Sequence, residues 1–425
     1  MTEQSVVITG IGLITEEARS PDELFARLMT KVPGATRRRN AEATVFTDPA
    51  ETGIEAGLGM PSGFAVVRRD RQWDSPPARL AVYAADQAFA QSGLDERRRR
   101  AGVFTASTRL PFAGADQATL SGSFDCADSS VDLNRLGELA CHQSTGYFEA
   151  RRDHSALVLA HRYNFPEAMT ISGGSWVAGG IAIGTAYRYI RHGELEVAMA
   201  GGSKIVCRFL PFVFFNLLGM SCHFQRHNPS PACVLLSGVG CGFALGAGSA
   251  FLLLESAEHA HARGAKILAR IIGFAGRAKG DNAAFIHESG DEFAGCMQAA
   301  LDDAGLVAED IDYINAYGAS VNAVQAEERV AIARVFGDHA AAIPISINPL
   351  ALEQMAGVNG AVETVLSILT LVHGMVPPTS DYPISAPESW SLDTVAEPRR
   401  RAPISVMSNS FGSAGEHCSL ILAAA

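Results

Sequence analysis

The sequence predicts an α/β fold built from two duplicated halves, and two observations carry that prediction. The first is a strand–turn–helix stretch near the middle of the chain. Met169 to Ser172 reads as a short buried strand, and Gly173 and Gly174 supply a tight turn. A helix then runs from Ser175-Trp176 to a glycine stop at His192-Gly193. A small side chain on such a turn, with a helix N-terminus behind it, is where a nucleophile or an oxyanion would sit. The second observation is an internal echo. The helix ending at Ser92-Gly93-Leu94 leads into the strand Gly102 to Ala106. Half a chain later, the helix ending at Ala304-Gly305-Leu306 leads into Asp312 to Ala316. The stop at His192-Gly193 has its own counterpart in the run from Gly360 to His373-Gly374. Duplication of a strand–helix unit says more about architecture than one motif does. It predicts two similar halves, residues 1–255 and 256–425, packed face to face with largely parallel buried strands between helices.

The elements follow in order. Val6 to Gly12 is a strand ending in glycines, and Ser20-Pro21 starts a short helix to Leu28. Residues 31–75 are polar and Arg-rich, which marks surface loop. Pro77 to Gly93 is a helix and Ala101 to Thr108 a strand. Residues 109–165 are irregular, with short helices. Val197 to Gly202 is a second buried strand ending in a glycine pair. Residues 203–250 form a Gly- and Phe-rich insertion, and Leu252 to Glu255 and Ala269 to Ala275 are further strands.

Bulk properties exclude several function classes. With 48% hydrophobic and 19% charged residues, the 425-residue chain belongs to well-buried globular proteins. A net charge of −11 argues against nucleic acid as a partner, because a basic face is needed to displace phosphate counterions. Apolar runs such as Leu210 to Met220 and Phe243 to Leu254 are too short or too Gly-rich to span a membrane. No secretory signal is expected, because the chain goes straight into the strand from Ser5 to Gly10. The eight cysteines are scattered without a CxxC pair and read as reduced thiols in a cytoplasm. No ligand spacing supports a metal site, and no cofactor is expected.

Five segments carry a family resemblance. The stretch Ala168 to Gly184, with Ala200-Gly201-Gly202 ending the next strand, resembles the nucleophile region of β-ketoacyl synthases of the thiolase superfamily. Leu236 to Gly248 is similar to the family's Gly-Phe-x-x-Gly-x-Gly segment, without the charged residues that normally precede it. Asp312 to Ser320 and Ser346 to Gly360 are similar to its two histidine motifs, and Asn409-Ser410-Phe411-Gly412 matches its C-terminal strand. The resemblance covers nearly the whole chain. It implies a five-layer αβαβα fold that dimerises by pairing strands at Val197 to Ala200.

The resemblance also implies a cysteine nucleophile, two histidines and a lysine, and here all four positions are substituted. Ser175 or Trp176 stands for the cysteine, as no cysteine lies between Cys141 and Cys207. Tyr317 stands for the first histidine. Asn348 or Pro349 stands for the lysine, and Gln354 or Glu353 for the second histidine. A tyrosine and a neutral amide cannot replace imidazole acid–base work at neutral pH. No catalytic residue is therefore expected. Phe411 matches the residue that gates the acyl pocket in active members.

Four losses on a kept scaffold resemble the chain length factor, the ketosynthase β-subunit of type II polyketide synthases. That likeness implies a heterodimer with an active ketosynthase α-subunit making a polyketide or aryl polyene, with an acyl carrier protein met mainly through the partner. Phe112, Tyr147 and Phe148 are then candidates for shaping the acyl tunnel, though each also reads as an ordinary core aromatic. The alternative is an acyltransferase or condensing enzyme using Ser175, with His142, His223 or His417 as candidate base. Gly173-Gly-Ser-Trp-Val does not form the Gly-x-Ser-x-Gly elbow, and Ser175 also reads as a simple helix cap. A third reading is a homodimer that only binds a carrier protein, through Arg97 to Arg100 or Arg399 to Arg401.

Overall fold

A computed structural model describes residues 3–15, 17–30, 75–95, 100–107, 124–125, 130–132, 134, 153–172, 175–204, 246–279, 290–318, 322–348, 355, 357–379, 392–412 and 415–425. In the first half, β1 (Val6–Thr15) and α1 (Pro21–Met29) are followed by α2 (Pro76–Ser92) and β2 (Ala101–Ser107). The small hairpin β3 (Phe124–Asp125) and β4 (Ser130–Val131) comes next, then α3 (His154–Tyr163), β5 (Glu167–Ser172) and α4 (Ala178–Arg191). The half closes with β6 (Val197–Lys204) and β7 (Gly248–Ser256). After the short α5 (Ala257–Ala262), the second half has β8 (Ala269–Ala278), α6 (Asp291–Ala304), β9 (Tyr313–Ala316), α7 (Asn322–Phe336), β10 (Pro344–Ile347) and α8 (Asn359–His373). Strands β11 (Met375–Val376), β12 (Asp393–Thr394), β13 (Arg399–Arg400), β14 (Ser405–Phe411) and β15 (Glu416–Ala424) complete it.

The duplication is visible in the strand order. The first half runs β5-β2-β6-β7-β1 and the second β10-β9-β14-β15-β8, each with two parallel pairings followed by two antiparallel ones. A short antiparallel ladder between Val6–Ile8 of β1 and Ala269–Ile271 of β8 joins them into one 11-stranded mixed sheet. The expectation of largely parallel strands is corrected: β1, β7, β8 and β15 are antiparallel. A parallel partner needs a long crossover, whereas the tight link at Gly412–Gly415, with Gly415 at φ +77, folds β15 straight back on β14.

Five layers follow from the helix packing. Helices α2 and α3 cover the outer face of the first set of strands, and α6 covers that of the second, with α7 packed against it. Between the two sets lie α4 and α8, which pack on each other. Their N-terminal ends meet backbone to backbone. A Cβ built on Gly360 would stand 2.7 Å from Gly180 N, and one on Gly179 would stand 2.8 Å from Ala361 N. Glycine is required there because two helices cannot otherwise approach so closely. The helix stops are as predicted: Gly93, Gly193, Gly305 and Gly374 all adopt positive φ. Ser20 caps α1, its hydroxyl accepting from Glu23 N at 3.2 Å.

One expectation fails. Val197 to Ala200 cannot pair across a dimer axis, because β6 is bonded on both sides, to β2 and to β7. The end strand on that side is β5, paired only to β2 among the described residues. A fully apolar strand reads the same in a sequence whether it is central or at an interface. No helix among the described residues is long and apolar enough to cross a membrane.

Candidate functional site

Three strand ends and two helix starts converge at one place. Strands β9, β10 and β14 run parallel and end together at Ala316, Ile347 and Phe411. The turn Ser175–Val177 enters α4 beside the start of α8 and the β14–β15 hairpin. The helix proper is capped at Val177 with no side-chain cap bond, so Ser175 is not its N-cap. Trp176 is 2% exposed, and its indole fills the space at the head of α4. A large rigid ring here occupies the volume that a small nucleophile would leave open to a ligand.

Tyr317 follows directly on β9 and is also buried. Its backbone N–H donates to Glu328 Oε1 at 3.0 Å, and Gly318 N, at φ +49, donates to Glu328 Oε2 at 2.8 Å. Asn409 Nδ2 donates to the same carboxylate at 3.3 Å, so Glu328 on α7 ties the ends of β9 and β14 together. Burial pushes the Glu328 carboxyl up, and these three donors oppose that. Glu363, one turn into α8, has less help. Asn315 Nδ2 donates to its Oε2 at 2.8 Å, while burial and the neighbouring Glu328 raise its pKa to about 8. At neutral pH Glu363 therefore keeps its proton. Burial and both acids hold the Tyr317 phenol far above its ordinary value, so it can donate a hydrogen bond but cannot serve as a base.

Asn348, one residue past β10, is fully buried, and neither of its side-chain polar atoms has a hydrogen-bond partner among the described residues. Phe411 packs near Tyr317, with ring centroids 6.1 Å apart. The structure thus gathers Trp176, Tyr317, Asn348 and Phe411 at the same end of the molecule. Gln354, Phe112, Tyr147 and Phe148 lie outside the described residues, as do His142 and His223. The side chain of Ser175 is likewise not described. Arg399 to Arg401 lie at the opposite end of β14 from Phe411, and Arg399 is paired with Asp393. That position does not suit delivery of a substrate to this site.

The residues that sequence reasoning missed are Glu328 and Glu363. A signal existed: Glu363 is the one charged residue in the run Gly360 to Val372. The chemistry available is limited. The free thiols among the described residues, Cys296 and Cys418, are both buried. Burial lifts the first to about 11 and the second well above its ordinary value, so neither is a thiolate at neutral pH. The imidazole of His417 is buried and neutral, its pKa pushed down to about 4 by burial and by Lys279. Among the described residues no cluster of three or more His, Cys, Asp or Glu could hold a metal ion.

Known proteins share this architecture. Residues 3–260 match the β-ketoacyl synthase N-terminal domain, and residues 268–382 match the C-terminal domain. The chain is 31% identical to 3-oxoacyl-[acyl-carrier-protein] synthase 2 of Rhizobium meliloti, covering 98% of each. It is 29% identical to a Streptomyces coelicolor protein named for actinorhodin polyketide β-ketoacyl synthase 1, over 99% of this chain and 88% of that one. A β-ketoacyl synthase structure from Burkholderia phymatum is similar at a TM-score of 0.81 and 25% identity, over 99% of this chain and all of that one. The ishigamide ketosynthase/chain length factor shares the fold at a TM-score of 0.78 and 24% identity, over the whole of both chains. With both domains matched in order along a thiolase-like scaffold, the chain belongs to the β-ketoacyl synthase family.

Proposed function

We propose that this chain is a non-catalytic, chain-length-determining subunit of a two-subunit ketosynthase of the type II polyketide kind, making a polyketide or aryl polyene. The observation that carries the reading is Trp176, a buried indole at the head of α4 where the family places its nucleophile. Tyr317 and Asn348, gathered at the same end of the molecule, stand where the family resemblance implies a histidine and a lysine. In this reading Ser175, Trp176, Tyr317, Asn348 and Gln354 are degenerate catalytic positions. Phe411, Phe112, Tyr147 and Phe148 shape the acyl tunnel and its gate.

The partner is an active ketosynthase α-subunit, and the acyl carrier protein is met mainly through that partner. The β5 edge supports this assembly. The other edge of the sheet ends in the two-residue β12, whereas the six-residue β5 has one side without a strand partner among the described residues. Residues 1–255 and 256–425 are the two duplicated halves, and the complex works in the cytoplasm. Several relatives are named as synthases, so a catalytic chain that accepts an acyl group on Ser175 is the reading to be separated. The test is co-expression with an intact ketosynthase encoded beside it, with the mass of the purified species measured by light scattering. A 1:1 heterodimer is expected. A stable homodimer that ignores the ketosynthase contradicts the proposal.

A further inference from the structure

The end of β14 is held by rings from three other elements. Phe411 meets its cross-strand partner His417 edge-on, with centroids 5.2 Å apart at 61°. His417 lies flat on Phe293 of α6 at 4.6 Å and 22°. Tyr317 lies tilted against Phe411, with centroids 6.1 Å apart. His417 is 0% exposed, and neither ring nitrogen makes a hydrogen bond among the described residues. A neutral imidazole has one donor and one acceptor, and burying both without partners is costly. This ring is therefore held by packing and not by its own bonding.

Its surroundings carry several charges. From α7, Glu327 Oε1 stands 3.8 Å from His417 Nε2, while Glu328 is committed to Tyr317, Gly318 and Asn409. From α6 come Glu292, with one buried oxygen lacking a hydrogen bond, Asp291, which pairs with Arg334, and the Cys296 thiol. Arg277 is the strand partner of His417 on β8, and Lys279 follows that strand and opposes protonation of the ring. On β15 itself are Glu416 and Cys418, while β14 brings no titratable side chain.

We propose that His417 is a pH-sensitive latch on Phe411. The neutral ring keeps the aromatic stack closed, and protonation draws the imidazolium to Glu327 and releases Phe411. The latch is a statement about packing; calling Phe411 a gate rests on the function proposed above. With the ring's pKa near 4, the latch is closed at neutral pH and opens in acid.

Hydrogen exchange of the full-length chain, read by mass spectrometry and corrected for intrinsic rates, tests it. Between pH 6 and pH 4, protection of residues 405–412 should fall about threefold or more in the native chain. It should stay level in His417→Asn, and β7 should keep its protection in both. Retained protection in the native chain, an equal fall in His417→Asn, or a simultaneous loss at β7 overturns the latch. If His417→Asn does not fold, Glu327→Gln takes its place. Removing the counter-charge should move the transition to lower pH, and an unmoved transition overturns the proposal. The experiment needs neither partner nor acyl chain, so failure of the subunit reading leaves its result intact.

Discussion

The two halves share a strand order and differ in what they bring to their common centre. Helices α4 and α8 occupy equivalent places, and their glycine-lined starts touch. Yet α4 is preceded by a buried tryptophan, while α8 carries a buried glutamic acid one turn in from its start. The first half supplies an apolar plug. The second supplies a hydrogen-bonded acid network of Asn315, Glu328, Glu363 and Asn409. The sheet edges differ as well, ending in the two-residue β12 on one side and the six-residue β5 on the other. A duplicated scaffold therefore fixes where a site lies without fixing its chemistry.

The junction between the halves gives the largest expected effect. In Gly360→Val the new side chain would meet Gly180 N at 2.7 Å and Ser410 Oγ at 2.9 Å, and backbone on α4 cannot step aside. We expect a loss of about 3 kcal/mol or more in stability, read as a lower midpoint in chemical denaturation. A variant as stable as the native chain would mean that the halves are not locked at this crossing.

A second prediction isolates the acid network of the C-terminal half. Glu363 has its folded-state pKa raised from 4.5 to about 8, so the protonated form stabilises the fold. That contribution is complete below pH 4.5 and is lost as pH rises through about 8, because the unfolded chain ionises first. Denaturation at the two ends of this window should show the native chain weaker at high pH. Glu363→Gln should remove most of that slope, since the amide mimics the protonated acid. Parallel slopes for the two proteins would show that Glu363 is ionised throughout.

The smallest effect tests the equivalence of the halves directly. Gly93 closes α2 at φ +63 and Gly305 closes α6 at φ +66, and neither would meet an atom within 4 Å if given a Cβ. Gly93→Ala and Gly305→Ala should each cost about 1 kcal/mol, from backbone strain alone. Thermal melts of the two variants should coincide. Clearly unequal costs would show that the two helix ends are not structurally equivalent.

Much of this architecture was legible in the residues. The strand–helix echo and the glycine stops at Gly93, Gly193, Gly305 and Gly374 gave the duplication, because positive φ at a helix end is a local demand that leaves a local mark. The turn at Ser175-Trp176 leading into a helix, and the place of Tyr317 just past the end of a strand, could be read from the sequence. The strand directions could not, since direction depends on which distant segments pair. Nor could the role of β6, whose residues look equally apolar at a centre or an edge. The Glu328–Glu363 network escaped because burial of an acid is a property of the packed core. His417 stood in the sequence as a candidate base, and only its burial against Phe293 and Phe411 gives it another role.

The central claim is that this chain makes no acyl bond itself. Its most direct test is intact-mass spectrometry of both subunits after the complex is incubated with an acyl donor. The account predicts acyl label on the ketosynthase partner alone, unchanged when Ser175→Ala is introduced here. Label on this chain that disappears in Ser175→Ala would contradict the account and make it an enzyme in its own right.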